Sequence, residues 1–383
     1  MKKVYVVGVG MTKIDRHYDK GFADLIHEAF VKAYNDSKGA EPEAIVVGNM
    51  LSGSLYQQDS LAALAADAMG LRGVGGLKVE AACGSGGHAI VAGYSLVASG
   101  IYDVVTVVGV EKMADYPTSR VTIALAQAAD AEHELIYGAS FPALNALAMR
   151  FYMEVYGASR EDLALWPVRM HEYAYYNPYA QLRNRITVDD VLRSTIIADP
   201  IRLMDSAPIG DGAAVVVLAS EDIAKKYNDS PVQISSVGLG SDALDLSSRN
   251  DLLKPLSIVK AAEKAYRMAK VEPKNIDIAE IHDAFTITGL LCIEGLRFAE
   301  WGTSWKLIKE GRFARDDKPA INLSGGLKAR GHPVGATGVY QVAEIAMQLR
   351  GDFPGLKASS PSTGLALNTG GVATLTSVAI LRR

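Results

Sequence analysis

The chain reads as an α/β protein built from two similar halves, each a βαβαβαββ unit whose strands carry helices on both faces. Three observations predict this. Short β-branched runs alternate with amphipathic segments of helical period along most of the sequence. The order of these segments repeats from about residue 231 onward. Between the repeats, residues 114–208 change in composition and gain aromatic, Met and Asn residues, among them Phe151, Tyr152, Trp166, His171, Tyr173, Tyr175 and Tyr176.

The first half opens with Val4-Tyr-Val-Val-Gly-Val-Gly10, an apolar run expected as a strand. A helix-period segment at 22–37, a strand at 44–47 and a helix at 60–69 follow. The apolar run 76–82 then leads into Cys83, with glycines at 84, 86 and 87 permitting a tight turn, a helix at 89–99 and a strand at 104–110. Residues 114–208 are expected to form an inserted cap of amphipathic helices, because they are rich in apolar residues and poor in Gly/Ser repeats. Asp211-Gly-Ala-Ala-Val-Val-Val-Leu218 returns as the last strand of the first half. The second half has a strand at 232–240, a helix at 257–269, a strand at 278–281 and a helix at 289–298. A glycine-rich turn, another helix and closing strands at 358–367 and 372–381 complete it. The expected division is 1–113 with 209–230, 114–208, and 231–383. Duplication places equivalent loops on either side of a pseudo-twofold axis, so that residues distant in sequence meet.

At 383 residues, with 49% hydrophobic and 21% charged, the chain can bury a substantial core. A net charge of −4 without a long basic run argues against nucleic-acid binding. Its two cysteines, Cys83 and Cys292, make no disulfide framework and suit a reducing compartment. A strand starting at residue 4 leaves no space for a secretory signal, and no segment reaches the length of a membrane span. A cytoplasmic enzyme is expected.

The chemistry-bearing residues lie at the junctions of strand and helix. Cys83 sits where helix N–H groups and the macrodipole stabilise a thiolate. The second junction is Asn322-Leu-Ser-Gly-Gly-Leu-Lys-Ala-Arg-Gly-His-Pro-Val-Gly-Ala-Thr-Gly338, in which His332 precedes Pro333 as though in a first helical turn. Between the two lies Glu280-Ile-His-Asp-Ala-Phe285, where His282 and Asp283 interrupt an apolar stretch. One thiol and two imidazoles are the minimum set for covalent acyl transfer: a nucleophile, a base to form it, and a donor for the developing oxyanion.

With these residues in view, the chain resembles the thiolases over its length. The resemblance rests on the cysteine turn, Gly109-Val-Glu-Lys-Met113, Asp211-Gly-Ala-Ala214, His282-Asp-Ala-Phe285 and Gly331-His-Pro-Val-Gly-Ala-Thr-Gly338. His-Asp-Ala-Phe, where many thiolases carry Asn-Glu-Ala-Phe, points to the branch resembling sterol-carrier-protein-type and archaeal enzymes. The resemblance implies a five-layered αβαβα fold and an acyl-Cys83 intermediate formed from a coenzyme A thioester, with His332 taking the thiol proton. It implies that His282 donates to the enolate oxygen of the second substrate, and that the N–H groups of Cys83 and Gly370 form a second oxyanion hole. No cofactor beyond the thioester substrates and no metal is expected. Asp283 is open between orienting His282 and a structural role. Lys328 and Arg330 are candidates to approach a coenzyme A phosphate, with Ser324 and Gly325 beside them, or are solvated loop charges.

One departure stands out. Many thiolases carry a second cysteine in a Cys-x-Gly motif that acts on the α-proton; this chain has Asn368 there, in Asn368-Thr-Gly-Gly371. The position that can hold a cysteine in sterol-carrier-type relatives is Ala284. Cys292 lies eight residues beyond Ala284, about 12 Å along a helix, and suits packing better than catalysis. The base is then His332 or His282, or catalysis is weak without a partner. Three readings follow: a thiolase joining two acetyl-CoA to acetoacetyl-CoA, a condensing enzyme of other specificity or decarboxylative chemistry, and a non-catalytic acyl-CoA-binding scaffold. The resemblance implies a homodimer or homotetramer, with the strand at 104–110 central to the dimer. It also implies a complex with hydroxymethylglutaryl-CoA synthase through a small zinc-ribbon/OB-fold protein, at the first step of the mevalonate route to isoprenoids.

Overall fold

Consecutive β-branched residues leave a strand with no polar face, so helices must cover both of its sides. The computed structural model, which describes residues 1–383, shows this arrangement. Its strands are β1 (Val4–Met11), β2 (Ala44–Gly48), β3 (Gly75–Val79), β4 (Val104–Glu111), β5 (Ile196–Ala198), β6 (Ile201–Arg202), β7 (Gly212–Ser220), β8 (Val232–Ser241), β9 (Ile278–Glu280), β10 (Ala320–Ile321), β11 (Thr363–Gly370) and β12 (Leu375–Arg382). Every residue of β4 and β7 is buried.

Ten of these strands make one hydrogen-bonded sheet in the order β10-β9-β11-β12-β8-β1-β7-β4-β2-β3. Read outward from its middle, each half has the same plan. From β1 the pairings run antiparallel to β7, antiparallel to β4, then parallel to β2 and β3. From β8 they run antiparallel to β12, antiparallel to β11, then parallel to β9 and β10. Within the sheet the halves join through only three residue pairs of β1 and β8. Each half is therefore a βαβαβαββ unit, as the sequence predicts.

Helices Ser85–Ala98 and Thr337–Arg350 pack on each other and on strands of both halves, forming a central layer. Phe22–Asp36 and Leu61–Ala68 cover the outer face of the first half, and Leu256–Ala269 that of the second. The result is the five-layered αβαβα arrangement. Between β4 and β7 lie the helices Thr118–Ala126, Phe141–Tyr156, Arg160–Tyr176 and Val188–Arg193 and the β5–β6 hairpin. This segment is fastened to the second half by Trp166 Nε1 donating to Asp283 (2.9 Å), Tyr152 OH to Glu294 (2.6 Å) and Thr288 Oγ1 to Asn145 (2.8 Å). No helix is long and apolar enough to cross a membrane.

Several expectations shift. The helix after Cys83 begins at Ser85 rather than 89, because Gly86 and Gly87 are helical. The helix after His332 begins at Thr337, so Pro333 lies ahead of it and not in its first turn. The run leading into Cys83 is not buried: β3 is an exposed edge strand. Conversely β4 is bonded on both sides, to β2 and β7, so it offers no free edge for strand pairing with a second subunit. The free edge of the first half is β3.

The central helices meet without side chains between them. A Cβ on Gly338 would fall 2.0 Å from the Gly87 nitrogen, and one on Gly86 would fall 2.9 Å from Gly335 O. Gly338→Ala is therefore expected to destabilise the protein by about 1–3 kcal/mol or more, seen as a lowered thermal midpoint. Gly75→Ala, where a Cβ meets nothing within 4 Å, should stay within about 0.5 kcal/mol. Equal midpoints for the two variants would contradict the close crossing.

Candidate active site

The loops that carry the predicted residues all leave the carboxyl ends of strands in the parallel parts of the sheet. That is where open α/β sheets present their clefts. After β3 the chain reverses through Ala82, whose φ of 52° is left-handed; a non-glycine residue there costs about 1–2 kcal/mol. Ser85 Oγ compensates by donating to Ala82 O (2.6 Å) while accepting from Ala81 N–H (3.0 Å). The turn leaves Cys83 ahead of the first turn of the Ser85–Ala98 helix, with 8% of its surface exposed. Burial, with the Glu111 and Glu80 carboxyls adding to it, pushes the Cys83 thiol up to about 12. The helix terminus alone therefore does not hold Cys83 as a thiolate. Desolvation outweighs the helix terminus, and the sulfur rests as a neutral thiol.

His332 follows a single π-helical turn, Gly326–Arg330, and Gly331 at φ 112°. Its Nδ1 lies 2.7 Å from Thr337 Oγ1. The Thr337 hydroxyl donates its own proton to Pro333 O (3.0 Å), so it accepts from His332 Nδ1–H. The lone pair is left on Nε2, which is buried and without a hydrogen-bond partner. Burial, then the His282 ring and Arg330, hold this imidazole well below its ordinary value and keep it neutral.

His282 has the opposite arrangement. Its Nδ1 faces two groups that can only donate, Asn368 Nδ2 (3.1 Å) and Thr369 N–H (3.3 Å). Nδ1 therefore accepts, and the ring proton sits on Nε2. Burial, then Arg330, lowers this ring to about 3, so it too is neutral. The two rings are 5.0 Å apart and nearly perpendicular, at 89°.

Cys83, His282 and His332 line one cavity of about 340 Å³. Its walls are otherwise mostly apolar, including Met113, Phe141, Phe285 and Val334, with Thr118, Thr122, Asn145, Ser206 and Thr288 as uncharged polar exceptions. The exposed Arg16 stands among its lining residues, and its side chain makes only a 3.4 Å contact to Tyr18 OH. Behind the thiol, the Glu111 carboxyl accepts from the backbone N–H groups of Met50 (2.9 Å), Leu51 (3.2 Å) and Gly335 (3.1 Å) and from Asn49 Nδ2 (2.7 Å). It thereby ties the loop after β2 to the His332 loop of the other half. Burial pushes Glu111 up to about 7. Glu111 is visible in sequence as a charge ending an apolar strand, but its partners are not; Thr337 and Thr369 lie inside recognised motifs, but nothing there shows that they hold the two imidazoles.

Other candidates lie elsewhere. Asp283 turns away from His282, accepting from Trp166 and from Leu327 N–H (2.7 Å); its role is to anchor the inserted segment and the π-turn. Cys292 is fully buried behind His282, its Sγ donating to His282 O (3.4 Å), and does not reach the cavity. Lys328 and Arg330 are neither phosphate contacts nor solvated charges. The π-turn folds both inward, 2% and 0% exposed, with Arg330 paired to Glu344 and burial lowering Lys328 to about 8. Ser324 donates to Glu280 (2.6 Å), and Gly325, at φ 99°, packs on Ala174; both are structural. Gly370 abuts the cysteine turn, where a Cβ would fall 2.0 Å from Ala81 O. Gly371, the next residue, is the one that lines the cavity. No group of three or more His, Cys, Asp or Glu side chains is placed to hold a metal ion.

Comparison with known proteins agrees with this architecture. The family model for the thiolase N-terminal domain matches residues 4–222, and the thiolase C-terminal domain-like model matches residues 238–383. The acetyl-CoA acetyltransferase of Methanothermobacter thermautotrophicus is 42% identical, with both chains covered completely. Sterol carrier protein 2 of Gallus gallus is 32% identical over 91% of this chain and 66% of its own length. Among solved structures, the Ltp2-ChsH2(DUF35) aldolase superposes with a TM-score of 0.84 at 22% identity, covering 100% of this chain and 98% of that one. Two matched domains, a full-length relative and a cysteine that shares one cavity with two imidazoles place this chain in the thiolase family of acyltransferases.

Proposed function

We propose that the protein condenses two molecules of acetyl-CoA to acetoacetyl-CoA and coenzyme A, reversibly, through an acetyl group on Cys83. The observation that carries the mechanism is that Nδ1 of His332 meets an acceptor while Nδ1 of His282 meets two donors, at one cavity. The acetyl substrate is supported by the 42% identity to an acetyl-CoA acetyltransferase. On the family resemblance, the reaction would open the mevalonate route to isoprenoids, in a homo-oligomer working beside hydroxymethylglutaryl-CoA synthase.

In the first half-reaction Cys83 Sγ attacks the thioester carbonyl, and its proton passes to His332 Nε2. The bond to the coenzyme sulfur breaks, and the departing thiolate takes that proton from His332. The imidazole is neutral again and free for a second task. When the next acetyl-CoA enters, Nε2 removes a methyl proton, while His282 Nε2–H donates to the oxygen that becomes the enolate. The enolate carbon attacks acetyl-Cys83, the carbon–sulfur bond breaks, and the Cys83 thiolate recovers its proton from His332. One base serves both halves, so the cysteine missing at 284 and 368 is not required. His282 cannot be that base, because its Nδ1 lone pair is committed to two donors and its Nε2 carries a proton.

The absence of a second acid–base thiol also suits decarboxylative condensation, in which loss of carbon dioxide replaces proton abstraction. An assay separates the two. Acetoacetyl-CoA with coenzyme A should be cleaved to acetyl-CoA, whereas malonyl-CoA with an acyl-CoA should not be condensed; the reverse pattern would overturn the thiolase reading. With acetyl-CoA, the acetyl mass gain should vanish in Cys83→Ala. His332→Ala should lower turnover by about 100-fold or more and also stop deuterium entering the methyl group of acetyl-CoA from heavy water. Retained deuterium entry would show another base.

The raised thiol makes a separate prediction. A thiolate is the alkylated species, so iodoacetamide labelling of Cys83 should climb about tenfold per pH unit through the alkaline range towards about pH 11. A plateau reached near neutrality would mean a resident thiolate.

A further inference from the structure

The mechanism needs the His282 proton on Nε2, and an isolated neutral imidazole does not enforce that. We infer that Asn368 is a positioning residue whose side-chain amide holds His282 in its Nε2–H form, and so makes it the oxyanion donor for the enolate. This rests on the thiolase reading of the cavity and explains why an amide stands where many relatives carry a thiol.

The argument follows the donors. Gly87 N–H lies 3.0 Å from Asn368 Oδ1. A backbone N–H can only donate, so the amide oxygen faces Gly87 and the amide nitrogen is turned to the opposite side. That nitrogen sits 3.1 Å from His282 Nδ1 and, having no lone pair to offer, must donate. Thr369 N–H adds a second donor at 3.3 Å. With Nδ1 accepting, the remaining ring proton is fixed on Nε2. The relay starts at Gly87, in the first turn of the Ser85–Ala98 helix, and crosses from the first half of the fold to the second.

The charged and titratable groups near His282 do not compete for its Nδ1. His332 faces it ring to ring, Cys292 binds its carbonyl oxygen, Arg330 acts only through its field, and Cys83 lies on the shared cavity.

The test uses the whole protein and two variants. Isotope-labelled ring nitrogens report the proton position by NMR without any substrate. In the parent protein His282 should show a bare Nδ1 and a protonated Nε2. In Asn368→Leu, which leaves only the longer 3.3 Å contact from Thr369 N–H at Nδ1, the two forms should mix, and condensation should fall by about 100-fold, as when an oxyanion donor is lost. Acetylation of Cys83 should stay within about threefold of the parent, an ordinary margin for a residue outside that half-reaction. In Asn368→Asp, a protonated carboxyl can still donate to Nδ1, but a carboxylate can only accept. Because position 368 is buried, which raises a carboxyl, condensation should fall as pH rises from about 6 to about 9, a limb the parent lacks.

An Asn368→Leu protein that acetylates normally, keeps the parent NMR pattern and condenses within about threefold of the parent rate overturns the inference. If that variant does not fold, Asn368→Asp decides, and the absence of any new limb overturns it. Failure of the parent protein to acetylate Cys83 would instead overturn the thiolase reading, with the NMR pattern still deciding where the His282 proton sits.

Discussion

The site depends on one contact, the crossing of the two central helices backbone to backbone at Gly86, Gly87 and Gly338. Helix Ser85–Ala98 begins just after Cys83, and helix Thr337–Arg350 begins just after the His332 loop. Removing side chains where these helices meet lets their N-terminal ends converge, which brings the thiol and the imidazole to one cavity. A single methyl group at Gly338 would hold the helices apart at this point. Interiors pack too densely to absorb such a change without moving their neighbours.

Convergence also buries the reactive groups, and burial sets their charges. The thiol is pushed up and both imidazoles are pushed down, so all three are neutral at rest. In a poorly solvated pocket an isolated charge is costly, whereas a proton moving between neutral partners creates charge only as the reaction proceeds. What distinguishes the two histidines is then not charge but which nitrogen holds the proton. Thr337 settles this for His332, leaving a lone pair, and the Asn368 and Thr369 donors settle it for His282, leaving a donor.

The duplicated architecture was legible from the alternation of strand-like and helix-like segments and from their repetition, because these patterns report burial directly. Cys83, His282 and His332 were legible because Gly-rich junctions mark strand-to-helix turns. The rest was not. Lys328 and Arg330 looked like loop charges because nothing in their local sequence shows the π-turn that folds them inward toward Asp283 and Glu344. The partner of Asp283 is Trp166, 117 positions away, and no spacing rule connects them. The edge position of β3 follows from sheet order, which its short Gly-Gly-Leu-Lys-Val sequence does not show. Asn368 read as a lost cysteine because its two partners, Gly87 and His282, come from different halves of the fold.

The most direct measurement is a crystal structure of the acetylated protein with coenzyme A bound. The account predicts acetyl on Cys83, with His332 Nε2 within about 4 Å of the sulfur and His282 Nε2 directed into the same cavity. An acetylated sulfur more than about 8 Å from both rings, beyond the reach of direct proton transfer, would contradict it.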